Sequence, residues 1–306
     1  MKEFLKSVFA AVGFITIAIT ILFVVLMVVI VRNIGDSPMG SSLGAISDSG
    51  ASVGVVELEG EIITSRDFRE KIERFVENKN IKGIVVRIDS PGGAVGASEE
   101  IYRYILQARE KKPVVCSLGN TAASGGLYSS LGCSKVYTSA GTLTGSIGVI
   151  LMMPNFSDIM GKVGFKFNVV KTGALKDAGS PFREFTDEDR TYLQGVAMEA
   201  YDQFVTAVSQ SRNIPIEKVK EFADGRIILG SQAVSLGLAD AIGGLEDAAR
   251  DVLAQAIGEG HGKEPKLVFP PKKLNVPDFL KSINDGGAMS VVPDKYKTMS
   301  IRYQMM

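Results

Sequence analysis

The sequence predicts an α/β fold with a largely parallel sheet, preceded by one N-terminal transmembrane helix. Between Ala51 and about Gly258, short apolar and β-branched runs alternate with longer amphipathic segments. Such alternation is typical of strands joined by crossover helices. A long uncharged apolar run comes before this region. Three glycine-rich turns follow predicted strands or precede predicted helices.

Strands and helices are predicted from the period of the apolar residues. We expect strands at residues 53–58, 84–88, 114–118, 135–138 and 167–170. We expect helices at residues 65–78, 97–111, 124–131 and 187–211. Ser65 is a fair N-cap for the first of these, and Thr186 with Asp189 three positions later resembles a capping box for the last.

Residues 7–31 carry no charge and consist almost entirely of apolar side chains. As a helix this run would be about 37 Å long, enough to cross a hydrocarbon core of about 30 Å. A cleaved signal peptide is the alternative, but its apolar region is shorter and ends at a small-residue site. Lys2 and Lys6 precede the run and Arg32 follows it. The positive-inside rule therefore favours a cytoplasmic N-terminus and an external body.

These features divide the chain into four predicted parts. Residues 1–32 form a cytoplasmic stub and membrane anchor, and residues 33–50 form a tether rich in Gly, Ser and Asp. Residues 51–258 form the main domain. Residues 259–306, which contain five prolines, form an extended tail.

Composition narrows the range of functions. Lys and Arg total 34, as do Asp and Glu, so the chain lacks the basic excess of a nucleic-acid binder. Cys116 and Cys133 are the two cysteines. They are too few for a disulfide scaffold and lack metal-ligand spacing. Two buried free thiols are expected, although an oxidising compartment would allow one bridge.

The sequence has one histidine, His261, in a glycine-rich connector. A general base needs fixed geometry, which such a connector does not supply. A hydrolase built on this chain must therefore activate its nucleophile with Lys, a carboxylate, a metal or an N-terminal amine.

Two glycine-rich turns are candidates for chemistry. The first, Asp89-Ser90-Pro91-Gly92-Gly93, follows a predicted strand. Its backbone N–H groups could form an oxyanion hole or bind phosphate, or the segment could be a tight turn into a helix. The G-x-G-x-x-G spacing of dinucleotide sites is absent.

The second turn, Ala122-Ala123-Ser124-Gly125-Gly126, places a serine among small residues between a strand and a short helix. Ser124 is either a nucleophile on a sharp elbow or an N-cap. In the first case the Gly125 N–H would be an oxyanion donor. A third segment, residues 142–149, is either a bend beside the site or a glycine-containing strand.

A serine nucleophile without histidine can use a lysine whose amine is desolvated. The residues alone do not choose among five lysines. The candidates are Lys135, Lys162, Lys166, Lys171 and Lys176. Lys176 has small neighbours and few nearby charges, but Asp177 beside it could also form a surface ion pair.

Four motifs occur in the order seen in bacterial signal peptide peptidase A, which the sequence resembles. They are DSPGG at 89–93, ASGG at 123–126, TGSIG at 144–148 and KTGALKDAGSPFRE at 171–184. Residues 224–226 and 230–240 also fit the C-terminal part of that family. Each motif alone is weak, but four in order are specific. The resemblance covers roughly residues 53–253 and the anchor.

The resemblance implies a crotonase/caseinolytic-protease-like fold and a short form with one catalytic domain. It implies Ser124 as nucleophile and Lys176 as general base, oxyanion donors at Gly93 and Gly125, and Ser146 as the serine that orients the lysine. In such forms the dyad is assembled within a homo-oligomeric ring, to which neighbours can contribute. No metal or organic cofactor is implied.

The expected function is therefore a Ser–Lys endopeptidase of the bacterial cytoplasmic membrane that faces outward. It would degrade signal peptides remaining after secretion. Two alternatives are a crotonase-like acyl-CoA enzyme and a membrane-bound Ser–Lys protease of the stomatin-operon class. The anchor and the Lys176 motif count against the first, and a single apolar span counts against the second.

Overall fold

The computed structural model describes residues 20–21, 51–259 and 264–271. Nearly all of them belong to one compact unit, Leu43–Pro270. Apart from residues 20–21, the predicted anchor and tether lie outside the described residues, as does most of the predicted tail. Within the described part no helix is long and apolar enough to cross a membrane. The predicted domain limits therefore stay predictions.

Strands and helices alternate along the described chain as the sequence predicts. The strands are β1 (Ser52–Glu59), β2 (Ile81–Ser90), β3 (Val114–Ala123), β4 (Val136–Thr138), β5 (Leu143–Gly145), β6 (Ile227–Leu229), β7 (Ala241–Ile242) and β8 (Lys266–Val268). The helices are α1 (Arg66–Glu77), α2 (Val95–Arg109), α3 (Gly125–Ser130), α4 (Ser157–Lys162), α5 (Asp187–Arg212), α6 (Ile216–Lys220), α7 (Gly230–Ser235) and α8 (Leu245–Ile257). A short 3₁₀ helix, Ala174–Asp177, lies between α4 and α5.

The strands form one sheet in the order β6-β5-β3-β2-β1-β8, and β4 pairs with β3 and β7. The β5–β6 ladder is antiparallel, and the other described ladders are parallel. The predicted α/β class and largely parallel sheet are confirmed. Both β4 and β5 pair with β3 because β4 contacts its first half and β5 its second half. The crotonase-type assignment within the α/β class stays a prediction.

The two faces of the central strands are covered differently. On one face, Val53, Val85 and Val115 pack against small and apolar side chains of α8. On the other face, a larger core forms against α1, α2, α3 and the second half of α5. Its fully buried members include Phe75 and Ile105. Successive residues of a strand point to opposite faces, so the near-continuous apolar runs of β2 and β3 reflect burial on both sides.

Residues 150–185, called the arm below, contrast with this core. Most side chains in the arm are exposed, and they include large apolar ones such as Met152 and Val170. The predicted strand at residues 167–170 is wrong, because this stretch pairs with no other strand among the described residues. The Phe167 ring instead packs against the rings of Phe165 and Phe182. A β-prone run needs a neighbouring strand, and the described chain offers it none.

The two cysteines also depart from expectation. Cys116 in β3 and Cys133 after α3 form a disulfide, so the expected free thiols are wrong. Their Cα atoms are 5.6 Å apart, within the range that a bridge requires. The turn after α3 returns to β3, where Ser134 N–H donates to the carbonyl of Val114. This return brings the two thiols together. The number of residues between the two cysteines does not by itself predict the bridge.

Candidate active site

Ser124 lies at the sharp turn between β3 and α3. Its backbone has φ 51° and ψ −118°, a conformation that costs a non-glycine residue free energy. The turn is held by the Ser124 N–H, which donates to the Gly145 carbonyl at 2.9 Å. The Ser124 carbonyl accepts from the Tyr128 N–H at 2.8 Å. The Ser124 hydroxyl makes no capping hydrogen bond to α3, so it does not serve as an N-cap here.

The Gly92–Gly93 turn packs directly against Ser124. Gly92 has φ 100°, and a Cβ there would lie 2.6 Å from the Gly125 nitrogen and 2.9 Å from the Ser124 Cβ. Only glycine fits at that distance without displacing the backbone. A bridge to Ile62 holds the turn, since Ile62 N–H donates to the Gly92 carbonyl at 2.9 Å and its carbonyl accepts from Ala94 at 2.8 Å.

Two backbone N–H groups beside Ser124 are free of protein acceptors in the described part of the chain. They belong to Gly93, which follows the turn, and to Gly125, which begins α3. Both glycines line the same narrow pocket as Ser124, about 30 Å³ in volume. Gly125 is buried, whereas Gly93 is exposed. Two free backbone donors next to a free hydroxyl have the composition of an oxyanion hole.

The rest of this pocket is mainly apolar. Val95, Tyr128, Val149 and Phe204 line it, together with the more polar Ser98, Glu99 and Gln203. Burial, and then the charge of the nearby Glu99, raises the pKa of Tyr128 to about 12. The phenol is therefore neutral across the physiological range and offers a ring wall with one polar end.

Ser146 lies just after β5, whose last residue accepts the Ser124 N–H. It also has a positive φ, 50°, and its own N–H donates to the Arg226 carbonyl at 2.8 Å. Its side chain is half-buried, and no hydrogen bond to its hydroxyl occurs among the residues that the structure describes. The third glycine-rich segment is thus a short strand followed by a strained bend, and it joins the Ser124 turn through backbone contacts.

Lys176 lies apart from this group in the single chain. It is exposed, in the 3₁₀ helix of the arm, and its N–H donates to the Gly173 carbonyl at 3.1 Å. No described contact joins it to Ser124 or Ser146, and it does not line the narrow pocket. The structure therefore brings Gly93, Ser124, Gly125 and Ser146 together but leaves the candidate base outside.

An ionic cluster next to Lys176 was not predicted from the sequence. Asp177 accepts from Lys171 at 2.6 Å and from Arg183 at 3.1 Å. Arg183 also forms a bidentate pair with Asp189, in which one contact measures 2.7 Å. Asp189 and Thr186 form the predicted capping box of α5, which is confirmed. The capping box drew attention to Asp189 in the sequence, but it gave no signal for the contact with Arg183.

A larger cavity of about 340 Å³ lies between the arm and α5, and Val149 lines both this cavity and the narrow pocket at Ser124. Leu151, Met153, Phe185 and Leu193 line it, and Arg190 lies over the Phe185 ring. It holds none of the predicted site residues. Among the described residues, no group of three or more His, Cys, Asp or Glu side chains could bind a metal ion.

The sequence model of peptidase family S49 matches residues 107–257. "Putative protease slr0021" of Synechocystis is 47% identical over 220 residues, which are 72% of this chain and 79% of that protein. "Putative signal peptide peptidase SppA" of Enterococcus faecium is 39% identical over 67% of this chain and 59% of its own length. "Serine protease SPPA, chloroplastic" of Arabidopsis thaliana is 32% identical over 78% of this chain and 36% of its own length. The predicted resemblance to signal peptide peptidase A is confirmed.

Similarity to solved structures is weaker. A mutant of the 1510-N membrane-bound stomatin-specific protease is 17% identical, with a TM-score of 0.47 over 73% of this chain and 99% of that one. A ClpP1 mutant of Listeria monocytogenes is 15% identical, with a TM-score of 0.44 over 64% of this chain and 94% of that one. At these scores the similarities add nothing to the assignment of the site.

Proposed function

The chain belongs to peptidase family S49, and from this premise we propose that it is a membrane-anchored serine endopeptidase with a Ser124–Lys176 dyad. Its substrates in this proposal are signal peptides that remain after their release from secreted proteins. The carrying observation is the strained Ser124 turn, whose hydroxyl is not used as a cap and which lies beside two unpaired glycine N–H groups in the described part of the chain.

The proposed reaction is acyl transfer to Ser124. The Oγ attacks the scissile carbonyl while the neutral Lys176 amine takes its proton. The Gly93 and Gly125 N–H groups donate to the oxyanion that forms, and one such donor is worth about 2.7–4 kcal/mol in other serine peptidases. The lysine then protonates the leaving amine, and water releases the acyl group. Ser146 would orient the lysine amine by a hydrogen bond.

In this proposal the base reaches Ser124 from a neighbouring protomer of a cyclic homo-oligomer. The exposure of Lys176, and the absence of any described contact with Ser124, support assembly between chains. The arm that carries Lys176 exposes large apolar side chains, which monomeric proteins rarely leave in one continuous region. A closed ring would bury the arm and complete every site by the same contact.

The pocket supports short apolar peptides as substrates. Its walls at Val95, Val149 and Phe204 are apolar, which suits an extended peptide with apolar side chains. A ring beside the membrane would admit extended peptides and exclude folded external proteins. A small casein-derived peptide should therefore be cleaved much faster than a folded protein.

The proposed location is the outer side of the bacterial cytoplasmic membrane, with residues 7–31 as the anchor. The Cys116–Cys133 disulfide supports it, because such bridges persist in oxidising compartments. An alkaline phosphatase fusion after Gly50 should be active in a bacterial host. An inactive fusion, together with an active cytoplasmic reporter at the same position, would reverse the topology.

The dyad is tested with Ser124→Ala and Lys176→Ala. Each should lower kcat/KM on a peptide by at least about 100-fold, the range of a lost nucleophile or base. Circular dichroism and the thermal midpoint should match the parent protein. A serine-reactive phosphonate should label the parent protein at Ser124, as shown by peptide mapping. Substantial activity in either variant would refute the assignment.

Sharing of the dyad is tested with the same two variants. When the Ser124→Ala and Lys176→Ala chains are co-expressed, mixed rings would contain some sites with both residues intact. Activity should therefore return in part. Co-expressed chains that assemble into mixed rings but stay inactive would show that each chain must supply both residues.

A further inference from the structure

The ionic cluster beside Lys176 sets the direction of one carboxylate. Asp177 follows Lys176 directly, yet no ion pair joins them in the described structure. The Asp177 carboxylate is instead held by Lys171 at 2.6 Å and by the Arg183 guanidinium at 3.1 Å. Arg183 Nη2 also donates to the Asp177 carbonyl at 3.0 Å. The side chain and backbone of Asp177 are thus bound by the same arginine.

Arg183 is itself held from the other side by α5. It forms a bidentate pair with Asp189, whose side chain is 2% exposed. Asp189 accepts from the Thr186 N–H at 3.0 Å as part of the capping box, so it is fixed to the helix. The planar guanidinium of Arg183 bonds to the carboxylates of Asp177 and Asp189 in a fixed geometry. A lysine ammonium group would not hold the two carboxylates in such fixed positions.

The charge of Asp177 matters because a carboxylate near an amine favours the ammonium form. A lysine that acts as a general base must be neutral when it takes the proton from serine. Both neighbouring cations bind the same carboxylate oxygen, Oδ1. Hydrogen bonds from Arg183 and then Lys171 lower the pKa of the Asp177 carboxyl. Without them, Asp177 would stay charged and be free to turn towards its neighbour.

We propose that Arg183 is a positioning residue that keeps the Asp177 carboxylate away from Lys176, so that the Lys176 amine is free to act as a base. The inference rests on the proposed function, because it gives Arg183 a role only if Lys176 is the base. Lys171 performs the same task through one contact, to the same carboxylate oxygen as Arg183. Asp189 connects the arrangement to α5 and so fixes where the turn lies.

Other charges near this turn could also influence the amine. They lie on the turn itself, on the first turn of α5 and on α4. They are Lys171, Asp177, Arg183, Glu184, Asp187, Glu188, Asp189, Arg190, Asp158 and Lys162. Of these, Lys171 and Arg183 have described bonds to the Asp177 carboxylate.

The test is the pH dependence of kcat/KM on a peptide substrate, measured with the full-length assembled protein. Arg183→Ala should move the rising limb of the profile to higher pH by about one unit, the lower end of the effect of one nearby charge. Activity below that limb should fall about tenfold, while the alkaline plateau should recover. Arg183→Lys should shift the rising limb of the pH profile less, because lysine keeps the positive charge but lacks the forked N–H donors of the guanidinium.

The decisive variant is the double substitution Arg183→Ala with Asp177→Asn. It removes the arginine and also the carboxylate that the arginine holds. The rising limb of the pH profile should return to its position in the parent protein. The free energy of unfolding should stay below that of the parent protein. A purely structural role would lower activity at every pH, and the second substitution would not reverse the loss. A double variant whose limb stays shifted, or an Arg183→Ala profile that never moves, overturns the proposal.

Two further variants complete the design. Arg250→Ala breaks another Arg–Asp pair, with Asp247 at 2.6 Å on α8, and should leave the profile unchanged. Lys171→Gln removes the second cation from Asp177 and should cause a smaller alkaline shift. If Arg183→Ala does not fold, Lys171→Gln decides the question, and an unmoved limb then overturns the proposal. Activity retained in Lys176→Ala would instead refute the proposed function itself.

Discussion

At the scale of single residues, the site depends on backbone conformations that suit glycine. Ser124 and Ser146 both have φ near 50°, and Gly92 has φ 100° beside them. Strained conformations of this kind persist where the surrounding structure enforces them, and they cluster at functional sites. In this chain the enforcement comes from the Gly145 carbonyl, which accepts the Ser124 N–H, and from the Ile62 bridge.

Ser124→Gly should make the protein more stable and inactive. Glycine adopts this backbone conformation without the Cβ conflict, so we expect the free energy of unfolding to rise by about 1 kcal/mol. Ser124→Ala removes the same hydroxyl but keeps the Cβ, and it should show no gain. Urea unfolding of the two variants measures the difference. Equal stabilities would mean that the turn carries no strain.

Gly92→Ala should abolish activity, because its new Cβ would lie 2.6 Å from the Gly125 nitrogen and would displace a donor from the oxyanion hole. We expect a loss in kcat of about 100-fold or more, as for removal of one donor. Gly96→Ala is the matched control, since a Cβ at that position would meet no atom within 4 Å outside the backbone of its own helix and its chain neighbours. Comparable losses in both variants would contradict the steric argument.

At the scale of elements, β3 connects the core to the site. Its first half pairs with β4 and carries Cys116, and its second half pairs with β5 and leads into Ser124. The disulfide joins β3 to the loop that follows α3. The strand that precedes Ser124 is thus covalently linked to the loop that follows the next helix.

Removing this disulfide should destabilise the domain without removing a site residue. The bridge spans a sequence separation of 17, and closing a loop of that length is worth about 3 kcal/mol in the chain-entropy model. The Cys116→Ala, Cys133→Ala double variant should therefore unfold at lower urea, with its peptidase activity retained under mild conditions. A reducing agent should lower the parent protein's midpoint but not that of the double variant. An insensitive parent protein would show that the bridge does not form.

At the scale of the whole molecule, the arm is the feature that a single chain leaves unexplained. Val170 is 101% exposed and Met152 is 84% exposed, and neither belongs to the core described above. The helix α5 contributes buried side chains in its second half, including Phe204 and Val208, whereas Tyr192 in its first half is exposed. The unpartnered apolar surface of the described chain is therefore concentrated around the Lys176 segment.

Charges placed on the arm should disrupt the oligomer and the activity together. Met152→Lys and Val170→Lys should sediment as smaller species than the parent protein, because burying a charge in an interface is unfavourable. Their peptidase activity should fall in proportion, while circular dichroism stays unchanged. Ile257→Lys, at the end of α8, is the control and should keep both properties. An active monomeric form of the protein lacking residues 1–50 would refute the ring.

Much of the fold was predictable because local patterns reflect burial. Apolar, β-branched runs predicted β1, β2 and β3, and their alternation with helices predicted a largely parallel sheet. Thr186 with Asp189 predicted the start of α5. The order of four short motifs predicted the family and drew attention to the turn at Ser124. Within each run, cap or motif the residues are close in sequence, so each could be recognised without knowledge of the fold.

Features that depend on residues far apart in sequence, or on neighbouring elements, could be read only from the folded chain. Residues 167–170 have strand propensity but meet no strand in the described chain, and Cys116 and Cys133 meet because the chain after α3 returns to β3. Asp177 could have paired with Lys176, but Lys171 and Arg183 hold it instead. Strand pairing, disulfides and ion pairs form only between groups that lie within a few ångströms of each other. Those distances are set by the packing of the whole chain.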